Sequence, residues 1–119
     1  MRVALDGEGW PIGTGEVFVD TRAEGLFPDG AVVDAAGCLW VAHWGHSGVA
    51  RYDPSGGFIG AVAVPAKRTT CPAFGGDGLS TLYVTTATMG MGDRAGPQDG
   101  QTFVIETEAK GQHEHRVIL

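Results

Sequence analysis

The sequence predicts an all-β fold built from repeats of a small antiparallel sheet, and three observations carry that prediction. Glycine supplies 20 of 119 residues, far above a usual share of about 7%, with no Gly-X-Y period. Short apolar runs alternate with turn signals along the whole chain. A strand-like motif also recurs, since Leu39-Trp40-Val41-Ala42 and Leu82-Tyr83-Val84-Thr85 stand 43 residues apart. Glycine at this level excludes a helical bundle, because each one costs a helix interior about 1 kcal/mol relative to alanine.

Taken in order, Arg2-Val3-Ala4-Leu5-Asp6 is the first run and closes at Gly7-Glu8-Gly9. Val17-Phe18-Val19 is the second. Pro28-Asp29-Gly30 reads as a β-turn, because proline presets φ and glycine supplies positive φ. It leads into Ala31-Val32-Val33, and Asp34-Ala35-Ala36-Gly37 turns the chain again. Cys38 to Trp44 is almost continuously apolar, as in a strand buried on both faces. Val49 to Tyr52 alternates and meets the turn Asp53-Pro54-Ser55-Gly56-Gly57. Phe58 to Val64 follows, and then the turn Gly75-Gly76-Asp77-Gly78. Thr81 to Thr86, Thr102 to Ile105 and Arg116 to Leu119 complete the series.

Other pairings support a repeat. Glu16–Asp20 precedes Gly60–Val64 by 44 residues, Arg2–Asp6 precedes Val49–Asp53 by 47, and Val49–Asp53 precedes Thr102–Glu106 by 53. The longest offset is explained if Thr88 to Asp99, rich in Gly, Met and Pro, is an inserted loop. A period in the low forties with four strands per unit is the signature of a β-propeller. Residues 1–21 would hold the two outer strands of an incomplete blade, 29–64 a full blade, and 70–119 another, with the loop at 88–99. That makes about two and a half blades, whereas closed propellers have roughly four to eight. The chain is therefore expected to be a piece of a longer protein or a protomer that another chain completes.

Charge narrows the function classes. Fourteen acids against eight bases give a net charge of −6, which disfavours nucleic acid and anionic membrane surfaces. No apolar run approaches the roughly 20 residues of a membrane span. The first residues do not read as a signal peptide, so a cytoplasmic location is expected. Cys38 and Cys71 fit no zinc or thioredoxin spacing and are expected to be free thiols.

Few residues suggest chemistry unaided. Ser47, Ser55 and Ser80 lie in no Gly-x-Ser-x-Gly elbow, and no phosphate-binding glycine motif occurs. His43 and His46, three apart, would need a bend to share a ligand, while His113 and His115 alternate onto one face. Both pairs read as surface or packed histidines. Asp34, Asp53 and Asp77 read as turn formers through side-chain-to-backbone hydrogen bonds. Trp40, Trp44 and Tyr83 read as core aromatics, and Thr88–Arg94 as a solvent loop.

Three segments are more specific: Phe27 to Ala42, Gly48 to Gly56, and Cys71 to Gly76 followed by Leu82 to Ala87. Together they resemble the C-terminal part of the gluconolactonase/regucalcin (senescence marker protein) family, over nearly the whole chain. The resemblance implies a six-bladed β-propeller that hydrolyses sugar lactones with a divalent metal, calcium or zinc, at the mouth of the central channel. It also implies that Asp29, the aspartate of the family's Pro-Asp-Gly segment, is a metal ligand and the catalytic base that accepts the water proton. The family's glutamate and asparagine ligands have no counterpart here, and the sequence contains no asparagine. Two functions are therefore expected. The chain is a fragment or protomer of a metal-dependent lactonase, completed as a homodimer or by a complementing chain, or it is a catalytically inactive propeller fragment acting as an interaction module or truncated product.

Overall fold

The computed structural model describes residues 1–114. The expected strand Arg116–Leu119 and His115 lie outside the described residues. Among the described residues nine strands form three antiparallel sheets: β1 (Arg2–Leu5) with β2 (Pro11–Glu16), β3 (Phe27–Val33) through β4 (Leu39–Trp44) and β5 (Gly48–Tyr52) to β6 (Phe58–Ala63), and β7 (Thr69–Gly75) through β8 (Thr81–Thr86) to β9 (Thr102–Glu106). The fold is all-β, part of a β-propeller. Among the described residues no helix is long and apolar enough to cross a membrane.

Three hairpin turns share one construction. Asp6, Asp34 and Asp53 each accept, on Oδ1, the backbone N–H groups two and four residues on: Glu8 and Trp10, Ala36 and Cys38, Ser55 and Gly57. The N–H of the glycine three residues on closes each turn onto the aspartate's own carbonyl. Those glycines, Gly9, Gly37 and Gly56, have φ of 88°, 80° and 92°, a region closed to most side chains. An Asp-x-x-Gly spacing thus sets each hairpin's register. Asp77 differs, standing instead at the start of a 3₁₀ turn, Asp77–Leu79.

The main core lies between the second and third sheets. Trp40, Ala42, Val49, Val64, Ala66, Leu82 and Val84 are buried there, and Trp40 meets Phe74 edge-on at 5.5 Å between ring centroids. On the other face of the second sheet, Val41, Ala50 and Tyr52 are covered in part by Val19 and Leu39. Tyr83 is not a core residue. In β8 the side chains alternate, so Leu82 and Val84 point inward while Tyr83 stands on the outer face, 38% exposed. Trp44 is half-buried beneath the Arg68 guanidinium, 4.9 Å from the ring centroid.

Two expectations of local structure are corrected. Val17–Val19 is not a strand. β2 ends at Glu16, so the pairing of Glu16–Asp20 with Gly60–Val64 does not match strand to strand, and Val19 is apolar because it packs on the second sheet. Pro28-Asp29-Gly30 is not a β-turn but lies inside β3. Residues 88–99 form a largely exposed loop that is nonetheless pinned to the sheets. Met91 is buried at its centre, and Asp99 accepts the N–H groups of Lys67 (2.7 Å) and Gly96 (2.8 Å).

Asp34 does more than form a turn. It is 1% exposed, and its Oδ2 accepts hydrogen bonds from Trp40 Nε1 (2.9 Å) and the Arg51 guanidinium (2.7 Å). Arg51 lies 5.0 Å above the Trp40 ring centroid. Burial, the largest single influence, pushes the carboxyl pKa up. Together the hydrogen bonds from Trp40, Cys38, Arg51 and Ala36 outweigh it and hold the group below the usual carboxylate range. With a folded pKa below the unfolded one, the stabilisation is complete above about pH 3.9 and is lost as pH falls through the lower folded value. Asp34→Ala strands a partly buried guanidinium and an indole N–H, and should cost about 3 kcal/mol. Urea unfolding at pH 7 measures this, and the gap between variant and parent should close as the pH is lowered below about 3.9.

Candidate functional site

Asp29 owes its position to a β-bulge. Pro28 pairs with His43 and Ala31 with Val41, so Asp29 and Gly30 together oppose one residue of β4. Such an extra residue bends the strand and re-aims a side chain. The same irregularity recurs in β7, where Thr69 pairs with Thr86 and Cys71 with Thr85. Thr70 is therefore the counterpart of Asp29, and Cys71 the counterpart of Gly30.

The two bulged strands meet here. A Cβ on Gly30 would lie 2.7 Å from both the Thr70 carbonyl oxygen and the Cys71 sulfur, so only glycine lets β3 approach β7 this closely. Asp29 is exposed beside that contact. Across it, the Thr70 and Thr85 hydroxyls share a hydrogen bond of 2.7 Å. The inner edge of the two sheets thus presents one carboxylate and a pair of hydroxyls to solvent. Sequence reasoning missed the hydroxyl pair, although the 41-residue offset between Asp29 and Thr70 is its signal.

The other expected residues fall elsewhere. His43 is buried in β4, and Gly45, at φ 83°, supplies the bend that brings His46 to the same groove. His113 is exposed. Cys38 and Cys71 are both free thiols, the first buried and the second exposed. Among the described residues no group of three or more His, Cys, Asp or Glu side chains could hold a metal ion. Calcium takes six to eight oxygens, and one carboxylate does not provide that. The described residues alone do not fit a metal site.

A four-stranded antiparallel sheet beside a three-stranded one, their first strands meeting at matching bulges with an exposed acid beside the contact, is the arrangement of adjacent β-propeller blades. A model of the SMP-30/gluconolactonase/LRE-like region matches residues 1–88, and the chain belongs to that family. It is 38% identical to the pentonolactonase XacC of Haloferax volcanii, over 97% of this chain and 42% of the relative. It is 44% identical to the L-arabinolactonase of Azospirillum brasilense, over 71% of this chain and 28% of that one. Among solved structures, a calcium-binding protein, regucalcin, from Agrobacterium tumefaciens superposes with a TM-score of 0.89 at 44% identity, covering 96% of this chain and 40% of that one. The chain thus spans well under half the length of these relatives.

A single carboxylate predicts weak metal binding. Calorimetric titration of the isolated chain with calcium should show no saturable site up to about 1 mM, the weak end for complete protein sites, and Asp29→Ala should titrate identically. A saturable site lost in Asp29→Ala would show that further ligands exist.

Proposed function

We propose that this chain supplies about two and a half blades of a six-bladed sugar-lactone hydrolase, and that Asp29 is its contribution to the active site. The observation that carries the proposal is the bulge that holds Asp29 exposed where the inner strands of two sheets meet. Relatives named lactonases support the substrate class. The remaining blades would come from a complementing chain or a second copy, and with them the other ligands of a divalent metal, calcium or zinc. In isolation the chain would be inactive.

In the completed site the Asp29 carboxylate would take a proton from water as the oxygen adds to the lactone carbonyl carbon. Collapse of the adduct breaks the ring ester bond. The departing alkoxide takes up a proton, and the product is an open hydroxy acid. The Thr70–Thr85 hydroxyl pair would orient hydroxyls of the sugar.

The test is a chimera in which this chain replaces the matched portion of the Haloferax pentonolactonase. Hydrolysis of a pentonolactone should survive the exchange, and Asp29→Asn in the chimera should lower kcat by about 10²–10⁴. An Asp29→Asn chimera as active as its parent would sink the assignment.

A further inference from the structure

Among the described residues three arginines lie over aromatic rings: Arg2 over Phe18, Arg51 over Trp40 and Arg68 over Trp44. Arg2 also pairs with Glu16, and Arg51 with Asp34, whereas Arg68 pairs with no carboxylate among the described residues. We infer that Arg68 is a specificity-determining residue of the lactone site, and that it selects a lactone carrying a carboxylate at the end of the sugar remote from the ring ester. This rests on the proposal above that Asp29 belongs to a lactonase.

Position carries the first part of the argument. Arg68 immediately precedes β7 and stands 41 residues after Phe27, the same offset that relates Thr70 to Asp29. It is thus the third sheet's counterpart of Phe27, two residues before the bulge. Phe27 pairs with Trp44, so Trp44 marks the end of the second sheet at which β3 begins. Asp29 follows Phe27 by two residues, about 7 Å of strand. From the start of β7 the Arg68 guanidinium reaches back across the sheet junction to Trp44, 4.9 Å from the ring centroid. The cation and the Asp29 carboxylate therefore stand at one end of the same junction without forming an ion pair.

The side chain is also held in advance. It is half-buried. Trp44 supports it on one side, and on the other a Cβ at Gly90 would lie 3.2 Å from Arg68 Nη1. The Arg68 carbonyl accepts the Ala87 N–H at 3.0 Å, which fixes the backbone at the root of the loop 88–99. Asp99 in that loop has both oxygens occupied by the N–H groups of Lys67 and Gly96. A guanidinium stacked on an indole keeps its N–H edge free, and that planar fork matches a carboxylate with two parallel hydrogen bonds. Holding it in place beforehand removes part of the ordering cost of binding. A hydroxyl in the same place offers one oxygen and no charge, so the preference falls to the acid.

The test has two arms. The first uses the chimera with the Haloferax pentonolactonase and compares a lactone of glucaric acid, which keeps a free carboxylate, with a neutral pentonolactone. Arg68→Met should lower the ratio of kcat/KM for the acidic lactone to that for the neutral one by about ten- to a hundredfold, chiefly through KM. Arg68→Lys should restore part of that ratio. A merely structural role would lower both values alike and leave the ratio unmoved, and that result overturns the inference. The second arm titrates this chain alone with glucarate, and with sorbitol, the neutral sugar alcohol of the same length. At constant ionic strength glucarate should change the tryptophan emission saturably and sorbitol should not, and Arg68→Met and Trp44→Phe should each abolish the change. No change with glucarate, or a change that survives Arg68→Met, overturns the inference. A chimera inactive on both lactones, beside a chain that binds glucarate through Arg68, refutes the proposed function and leaves the anion site standing.

Discussion

Asp34 sits where three structural demands meet, and one carboxylate answers all of them. Its Oδ1 closes the β3–β4 hairpin through two backbone N–H groups. Its Oδ2 ties Trp40 on β4 to Arg51 on β5, and Arg51 then covers the same indole. The backbone around it joins the third sheet's outer end, since Asp34 bridges Gly111 and the Ala35 N–H donates to the Lys110 carbonyl at 2.7 Å. Trp40 is in turn the largest side chain of the core between the sheets. Turn register, strand packing and sheet-to-sheet contact therefore share one charged group. Such a group is worth keeping only while every partner is present, because a buried charge left unpaired costs several kcal/mol.

That coupling also fixes how the first strands of the two sheets meet. Packing of Trp40 against Phe74 sets the distance between β4 and β7, and Gly30 lets β3 close onto Thr70 and Cys71. The matching bulges in β3 and β7 then place Asp29 and Thr70 at equivalent points of adjacent sheets. No such support reaches β1 and β2, whose residues are all exposed. The buried residues are concentrated in the second and third sheets.

Much of this is legible in the sequence. The 43-residue offset between Leu39 and Leu82 marks equivalent strands β4 and β8, and the family resemblance rests on the segments that build the core. The Asp-x-x-Gly turns can be read as turns, because aspartate and glycine act within five residues of chain. What Asp34 reaches across the sheet cannot, since the pairing with Arg51 depends on register. β2 is hidden because Gly13 and Gly15 break the apolar alternation of an exposed strand, while Val17–Val19 looks like a strand yet packs as a linker. The bulge at Asp29 reads as a turn because Pro-Asp-Gly has the same local chemistry in both settings. His43 and His46 share a groove only through the bend at Gly45.

The central claim is that folding free energy resides at the Asp34-anchored contact between the second and third sheets, and that β1–β2 adds little without further strands. Native-state amide hydrogen exchange of the isolated chain tests it most directly. The account predicts the slowest exchange at Cys38 N–H, at the Trp40 indole N–H and through β4, β5 and β8, with β1–β2 exchanging nearly as fast as an unstructured peptide. Protection in β1–β2 equal to that of β4 would contradict it.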